Sequence, residues 1–171
     1  AVTGTDINKE LDNSTVDDVA VKAQDVTTSE SHVGSLAVGI GADGGAGVSA
    51  ASDTLLLSRK TAAELSGTDT AKKTVNGRNV AVTADQQSTV ITNADGVAGA
   101  GGVYGAGAVA ATAAATKLDG SVTATMKNIN STNKGLEISA KHDHKTTLVS
   151  ASAAVSAAMV SGAVGAGVGV V

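Results

Sequence analysis

The chain has 171 residues, and its 16 Asp and Glu against 12 Lys and Arg leave a net charge of −4, which provides no basic footprint for nucleic acid. It contains no Cys, Pro, Trp or Phe, one Tyr and two Met, which excludes a disulfide scaffold, a thiolate metal site and a core built on aromatic rings. The apolar residues are mostly Ala and Val, and at roughly 25 cal/mol per Å² of buried apolar area each adds little. Stability must therefore come from close backbone approach and a long hydrogen-bonded ladder, which suits a narrow stacked structure.

Taken in order, residues 1–18 read as the end of a preceding repeat. Val19-Ala-Val-Lys-Ala-Gln-Asp25 alternates in period 2, the signature of a half-buried strand. Thr27 to His32 is polar and is expected to hold a turn. Gly34 to Gly41 alternates small and branched residues, and Ala42 to Gly47 reads as a turn, because Asp-Gly and Gly-Gly supply positive φ angles. Asp53 to Lys60 carries the largest apolar side chains of the stretch, and Thr61 to Asn79 is polar.

The strand formula then returns. Val19 and its neighbours come back as Val80-Ala-Val-Thr-Ala-Asp-Gln86, and more loosely as Leu136-Glu-Ile-Ser-Ala-Lys-His142. Each copy leads into a polar passage and then a Gly- and Ala-rich, nearly uncharged one. In the second copy Asp95-Gly96 reads as a turn, and Lys117 to Gly120 leads into the alternation Ser121 to Met126. In the third, Lys141 to Lys145 reads as a polar turn before the uncharged run from Thr146. The division is thus 1–18, a repeat over 19–79, a repeat over 80–135 and a partial repeat over 136–171. Both ends look cut, as in a piece of a longer protein.

The uncharged runs 96–116 and 146–171 invite a membrane reading, but Gly, Ser and Thr lower their hydrophobicity and the surrounding pattern is that of strands. The expected fold is all-β: a parallel β-helix or solenoid with a narrow Ala, Gly and Val core. At roughly 20 residues per coil, about three coils would make one repeat of ~60 residues. The absence of Pro fits, since Pro cannot donate to an interior ladder.

Val19-Ala-Val-Lys-Ala and Val80-Ala-Val-Thr-Ala, with the Gly/Ala-rich blocks at 96–115 and 153–170 and Leu118-Asp-Gly-Ser-Val-Thr-Ala, resemble the repeats of filamentous-haemagglutinin-like surface exoproteins, most closely the leukotoxin-type filamentous adhesins of Gram-negative bacteria. The resemblance implies a right-handed parallel β-helix exported through the outer membrane, forming a rod or fibre for attachment. It implies an extracellular or cell-surface location and carries no catalytic residue.

Candidate sites are sparse. His142-Asp143-His144 places two imidazoles on one side of an extended chain, a metal-ligand spacing, but Lys141 and Lys145 oppose a cation and a solvated turn is the reading taken. Asp43 and Asp95 in Gly-rich turns resemble calcium-binding β-rolls without the required nonapeptide. Gly99 to Gly105 lacks the Lys-Ser/Thr of a phosphate loop. Asn13 and Asn130 open glycosylation sequons, and Tyr104 is assigned to packing. No catalytic, cofactor or metal residue is named, and no enzyme activity is expected. The functional expectation is an adhesive or scaffolding segment of a bacterial surface fibre that continues into further repeats or associates end to end. Possible contacts are with a host or neighbouring cell, without nucleic acid or membrane insertion. Alternatives are a self-assembling filament or sheath subunit and, third, a pore-forming segment.

Overall fold

The computed structural model describes residues 1–11 and 16–170. Among the described residues nine strands follow one another: β1 (Val2–Thr3), β2 (Val19–Gly41), β3 (Gly45–Ser66), β4 (Lys73–Asn76), β5 (Asn79–Gly102), β6 (Ala106–Lys127), β7 (Ile129–Thr132), β8 (Gly135–Ala157) and β9 (Ser161–Val170). They form three sheets, ordered β1-β3-β6-β9, β2-β5-β8 and β4-β7. Strand pairs are parallel, with Val2 beside Leu65, Lys73 beside Ile129 and Ala106 beside Ser161. The chain is therefore an all-β stack of parallel coils, as the alternation and the repeat period predict.

The coil count differs from expectation. Each of those three paired positions lies one whole sequence repeat beyond its partner, so one repeat makes one coil rather than three. The two full repeats each supply two long strands and a short one, β2-β3-β4 and β5-β6-β7, one to each sheet. The expected turns at 27–32, 95–96, 117–120 and 141–145 all lie inside strands. The physical reason is visible in β2, whose odd-numbered residues stay half-buried and whose even-numbered ones stay exposed from end to end. Thr27, Ser29 and Ser31 keep the inward positions through the polar passage, and the Ser31 hydroxyl donates to Asp53 Oδ1 on the facing strand at 2.8 Å. Turns remain at 42–44, where Asp43 is exposed, at 103–105 and at 158–160.

Contacts divide the chain into two units. Unit 1 takes the described parts of Ala1–Thr27, Ser58–Ser88 and Asp119–His144; unit 2 takes those of Thr28–Leu57, Thr89–Leu118 and Lys145–Val171. The core of unit 1 is aliphatic: Leu65, Val75, Val80 and Val82 are buried, with Val19, Val21, Met126 and Ile129 packed against them. Unit 2 encloses Ala98, Ala100, Ala108 and Ala110. Its interior is closed by hydroxyl pairs: Ser35 with Ser49 at 2.6 Å, Thr92 with Thr116 at 2.7 Å, and Thr112 with Ser150 at 2.7 Å. Glycine lets these layers close. A Cβ at Gly47 would fall on the Gly99 carbonyl oxygen, and one at Gly45 would lie 2.7 Å from the Gly39 carbonyl oxygen.

Candidate functional site

In unit 1 the outer side of β2, β5 and β8 carries the residues that alternate with the core. Because Val19, Val21 and Ala23 face inward, Ala20, Lys22 and Gln24 face out. Val80, Val82 and Ala84 likewise set Ala81, Thr83 and Asp85 outward. With Glu137, Ser139 and Lys141 of β8 these line a groove of about 780 Å³. Small residues, Ala81 and Thr83, lie among its lining, beside ammonium groups from Lys22 and Lys141 and carboxylates from Asp85 and Glu137. Amide, hydroxyl, ammonium and carboxylate groups give this groove both hydrogen-bond donors and acceptors.

Asp18, also in the lining, is anchored. Its Oδ1 accepts hydrogen bonds from Asn79 Nδ2 at 2.9 Å and from Arg78 Nε at 3.3 Å. The Asn79 bond, then the Arg78 bond and charge, hold its carboxyl below the usual carboxylate range. Both donors belong to the coil after that of the acceptor, so this corner links neighbouring coils as well as fixing a charge.

Beneath the outer surface the interior of unit 1 holds a polar layer that sequence reasoning missed. Arg59 of β3 forms an ion pair with Asp25 of β2, and Gln86 of β5 donates to Asp25 Oδ2 at 3.4 Å. Gln86 is 1% exposed, and its Oε1 has no hydrogen-bond partner among the described residues. Gly120 leaves room there: a Cβ would lie 3.1 Å from the Arg59 carbonyl oxygen and 3.4 Å from Gln86 Oε1. The signal was available, since Asp25 shares its parity with Val19, Val21 and Ala23. A shallower hollow of about 360 Å³ lies between Ser58–Lys60 and Asp119–Ser121.

The structure places the residues picked from sequence as follows. His142 and His144 lie in β8 rather than in a turn, with ring centroids 5.4 Å apart, and both are exposed. No group of three or more His, Cys, Asp or Glu able to hold a metal occurs among the described residues. Asp43 stands in a turn but Asp95 in β5, so the two are not equivalent. Gly99 to Gly105 runs from a strand into a turn and on to a strand, without the helix that a phosphate loop requires. Tyr104 is 66% exposed in the turn between β5 and β6, which overturns its packing assignment: it lies past the end of β5, outside the alternation that turns side chains inward. Asn130 is exposed in β7, and Asn13 lies outside the described residues. No helix of the described chain is long and apolar enough to cross a membrane.

No family model, no curated protein and no solved structure matches the chain.

Proposed function

We propose that the chain is a structural and adhesive segment of a secreted or surface-displayed bacterial filamentous protein, working through extended surface rather than through a reaction centre. The observation that carries this reading is the parallel coil-on-coil register, in which each coil offers the next a complete backbone edge. Such a ladder lets length grow without a wider core, which is what a protein that reaches away from a cell surface needs. The resemblance of the Val-Ala-Val strand formula and the Gly/Ala blocks to filamentous adhesin repeats supports it. So does the outer groove of unit 1, whose mixed polar lining suits glycan or peptide hydroxyls and amides.

The test is attachment. Beads coated with the folded chain should adhere to epithelial cells and to cells of the producing bacterium more than beads coated with the same chain after urea unfolding. Equal adhesion of both preparations would remove the adhesive reading. Leakage of dye from liposomes would instead favour a pore-forming segment.

A further inference from the structure

The outer side of β3, β6 and β9 within unit 2 is uncharged until Lys117, near the end of its run along β6. From Ala46 to Thr54, Gly107 to Ala115 and Gly162 to Val168, every outward position is Gly, Ala, Val, Ser or Thr. Register makes this face a relief. Val109 pairs with Val164 and Ala111 with Ala166. Between β6 and β9 the Ala106 N–H bonds to the carbonyl of Val160, the residue before its partner Ser161. Between β3 and β6 the Gly45 N–H bonds to the Gly105 carbonyl and the Gly67 N–H to the Lys127 carbonyl. By the same rule Gly45 stands beside Ala106 and Gly67 beside Asn128, so one register holds at both ends of β3. That register sets Val48 beside Val109 and Ala50 beside Ala111. Val48, Val109 and Val164, at 71%, 45% and 61% exposed, form a ridge across three strands. Ala50, Ala111 and Ala166 form the furrow next to it.

We infer that this face is the contact surface for a second copy of the chain, laid face to face so that the valine ridge of each enters the alanine furrow of the other. A two-fold axis running across the strands between ridge and furrow exchanges them, so one surface supplies both halves of the fit. Charge selects the occupant. A charged partner would leave its ions facing a surface with nothing to pair them, whereas a second copy brings another uncharged, flat sheet. Three strands at about 4.8 Å, with nine, nine and seven residues at about 3.3 Å each, give roughly 400 Å² per copy, or about 800 Å² for the pair. That is below the ~1,200 Å² of stable complexes and in the range of weak encounters, so a reversible equilibrium rather than a permanent dimer is expected. The inference does not depend on adhesion, since a chain that binds no cell can still pair in this way.

Sedimentation velocity of the 171-residue chain from about 1 µM to several hundred µM tests it. Wild type should associate reversibly. Val109→Lys should weaken association by at least about tenfold through a buried unpaired charge. Thr123→Lys, outward on β6 but in unit 1, should leave it unchanged. Because the chain has no cysteine, Val109→Cys and Ala111→Cys chains can be mixed, and they should form the mixed disulfide faster than either forms its own. That readout decides the matter even if Val109→Lys does not fold. A monomer at all concentrations overturns the inference. So does association that Val109→Lys leaves intact, which would locate the contact at the open ladder edges. Binding to neutral phosphatidylcholine vesicles without self-association would make a lipid surface the occupant and likewise overturn it.

Discussion

Asp25 and Arg59 meet across the interior of unit 1, each from the inward side of its strand, in a layer where the neighbouring inward positions are apolar or hydroxyl-bearing. The side chains are 34% and 11% exposed, so the pair is partly wet on the Asp side and nearly dry on the Arg side. Gln86 donates into the same carboxylate from the next coil.

That asymmetry predicts unequal single substitutions. Asp25→Leu leaves the guanidinium nearly buried without its counter-ion. Breaking a buried pair costs ~3–5 kcal/mol, and the exposure of Asp25 discounts this to roughly 1–3 kcal/mol. Arg59→Met leaves a carboxylate that water can reach, for about 1 kcal/mol or less. The double variant Asp25→Leu, Arg59→Met should recover most of the loss, because an apolar layer replaces the pair. Urea midpoints of the three variants measure this, and strictly additive losses would show that the pair is not coupled.

How far the sequence reveals this molecule turns on the same residues. Val19, Val21 and Ala23 announce a strand and its inward parity, and Val80 and Leu136 announce the coil spacing; Asp25 lies on that parity and could have been placed inside. The coil count was not legible, because Thr27 to His32, Lys117 to Gly120 and Lys141 to Lys145 carry the composition of turns. Composition misleads here because an inward serine finds its partner on the facing strand, as Ser31 does in the Asp53 carboxylate and Ser35 in the Ser49 hydroxyl. That partner lies beyond the next turn and is invisible to a local window. Gly-Gly pairs likewise read as turns, yet Gly45 and Gly47 serve to bring backbones together within the stack. The outer groove escaped notice for a related reason: its residues are the unremarkable polar half of an alternation, and only the strand order β2-β5-β8 gathers them.

The glycines divide into two kinds, and substitution should separate them. At Gly47 a Cβ would fall on the Gly99 carbonyl oxygen and lie 3.3 Å from that of Ala37, both of them backbone. Gly47→Ala must therefore push strands apart and is expected to cost at least about 3 kcal/mol. At Gly107 nothing lies within 4 Å of the added carbon, so Gly107→Ala should stay within about 0.5 kcal/mol or stabilise through the unfolded chain. Thermal melts of the two variants, followed by far-ultraviolet circular dichroism, give the comparison; equal melting points would contradict the close approach.

Acid should release the first residues before the rest. Asp6 Oδ1 accepts the Thr74 backbone N–H at 2.7 Å, and this bond, aided by Lys73 and Lys9, holds the carboxyl below its ordinary value of 3.8. Asp18 is lowered by Asn79 and Arg78. A depressed folded-state value means that the contribution is fully present above the unfolded-state pKa and disappears as pH falls through the folded one. The window therefore lies below pH 3.8. Protection of the Thr74 amide, measured against the unfolded chain at the same pH, should be high at pH 5 and fall within that window, while Asp6→Asn should make it low at both. Protection that ignores pH would show that the Asp6 carboxylate does not hold the Thr74 amide.

The hydroxyl pair of Thr92 and Thr116 provides the sharpest test of the polar interior. The two oxygens are 2.7 Å apart, and the residues are 0% and 5% exposed. Thr92→Val keeps the volume and removes one partner, leaving the Thr116 hydroxyl with neither water nor Thr92. The expected loss is about 1–3 kcal/mol. Thr116→Val should cost a similar amount for the mirrored reason. The double variant removes the unmet polar group and leaves two valines in contact, so it should be nearly as stable as wild type or more so. Chemical denaturation of the four proteins closes the cycle. A double variant as damaged as the sum of the singles would mean that each hydroxyl has a separate partner, and that the interior of unit 2 is held by something other than paired side chains.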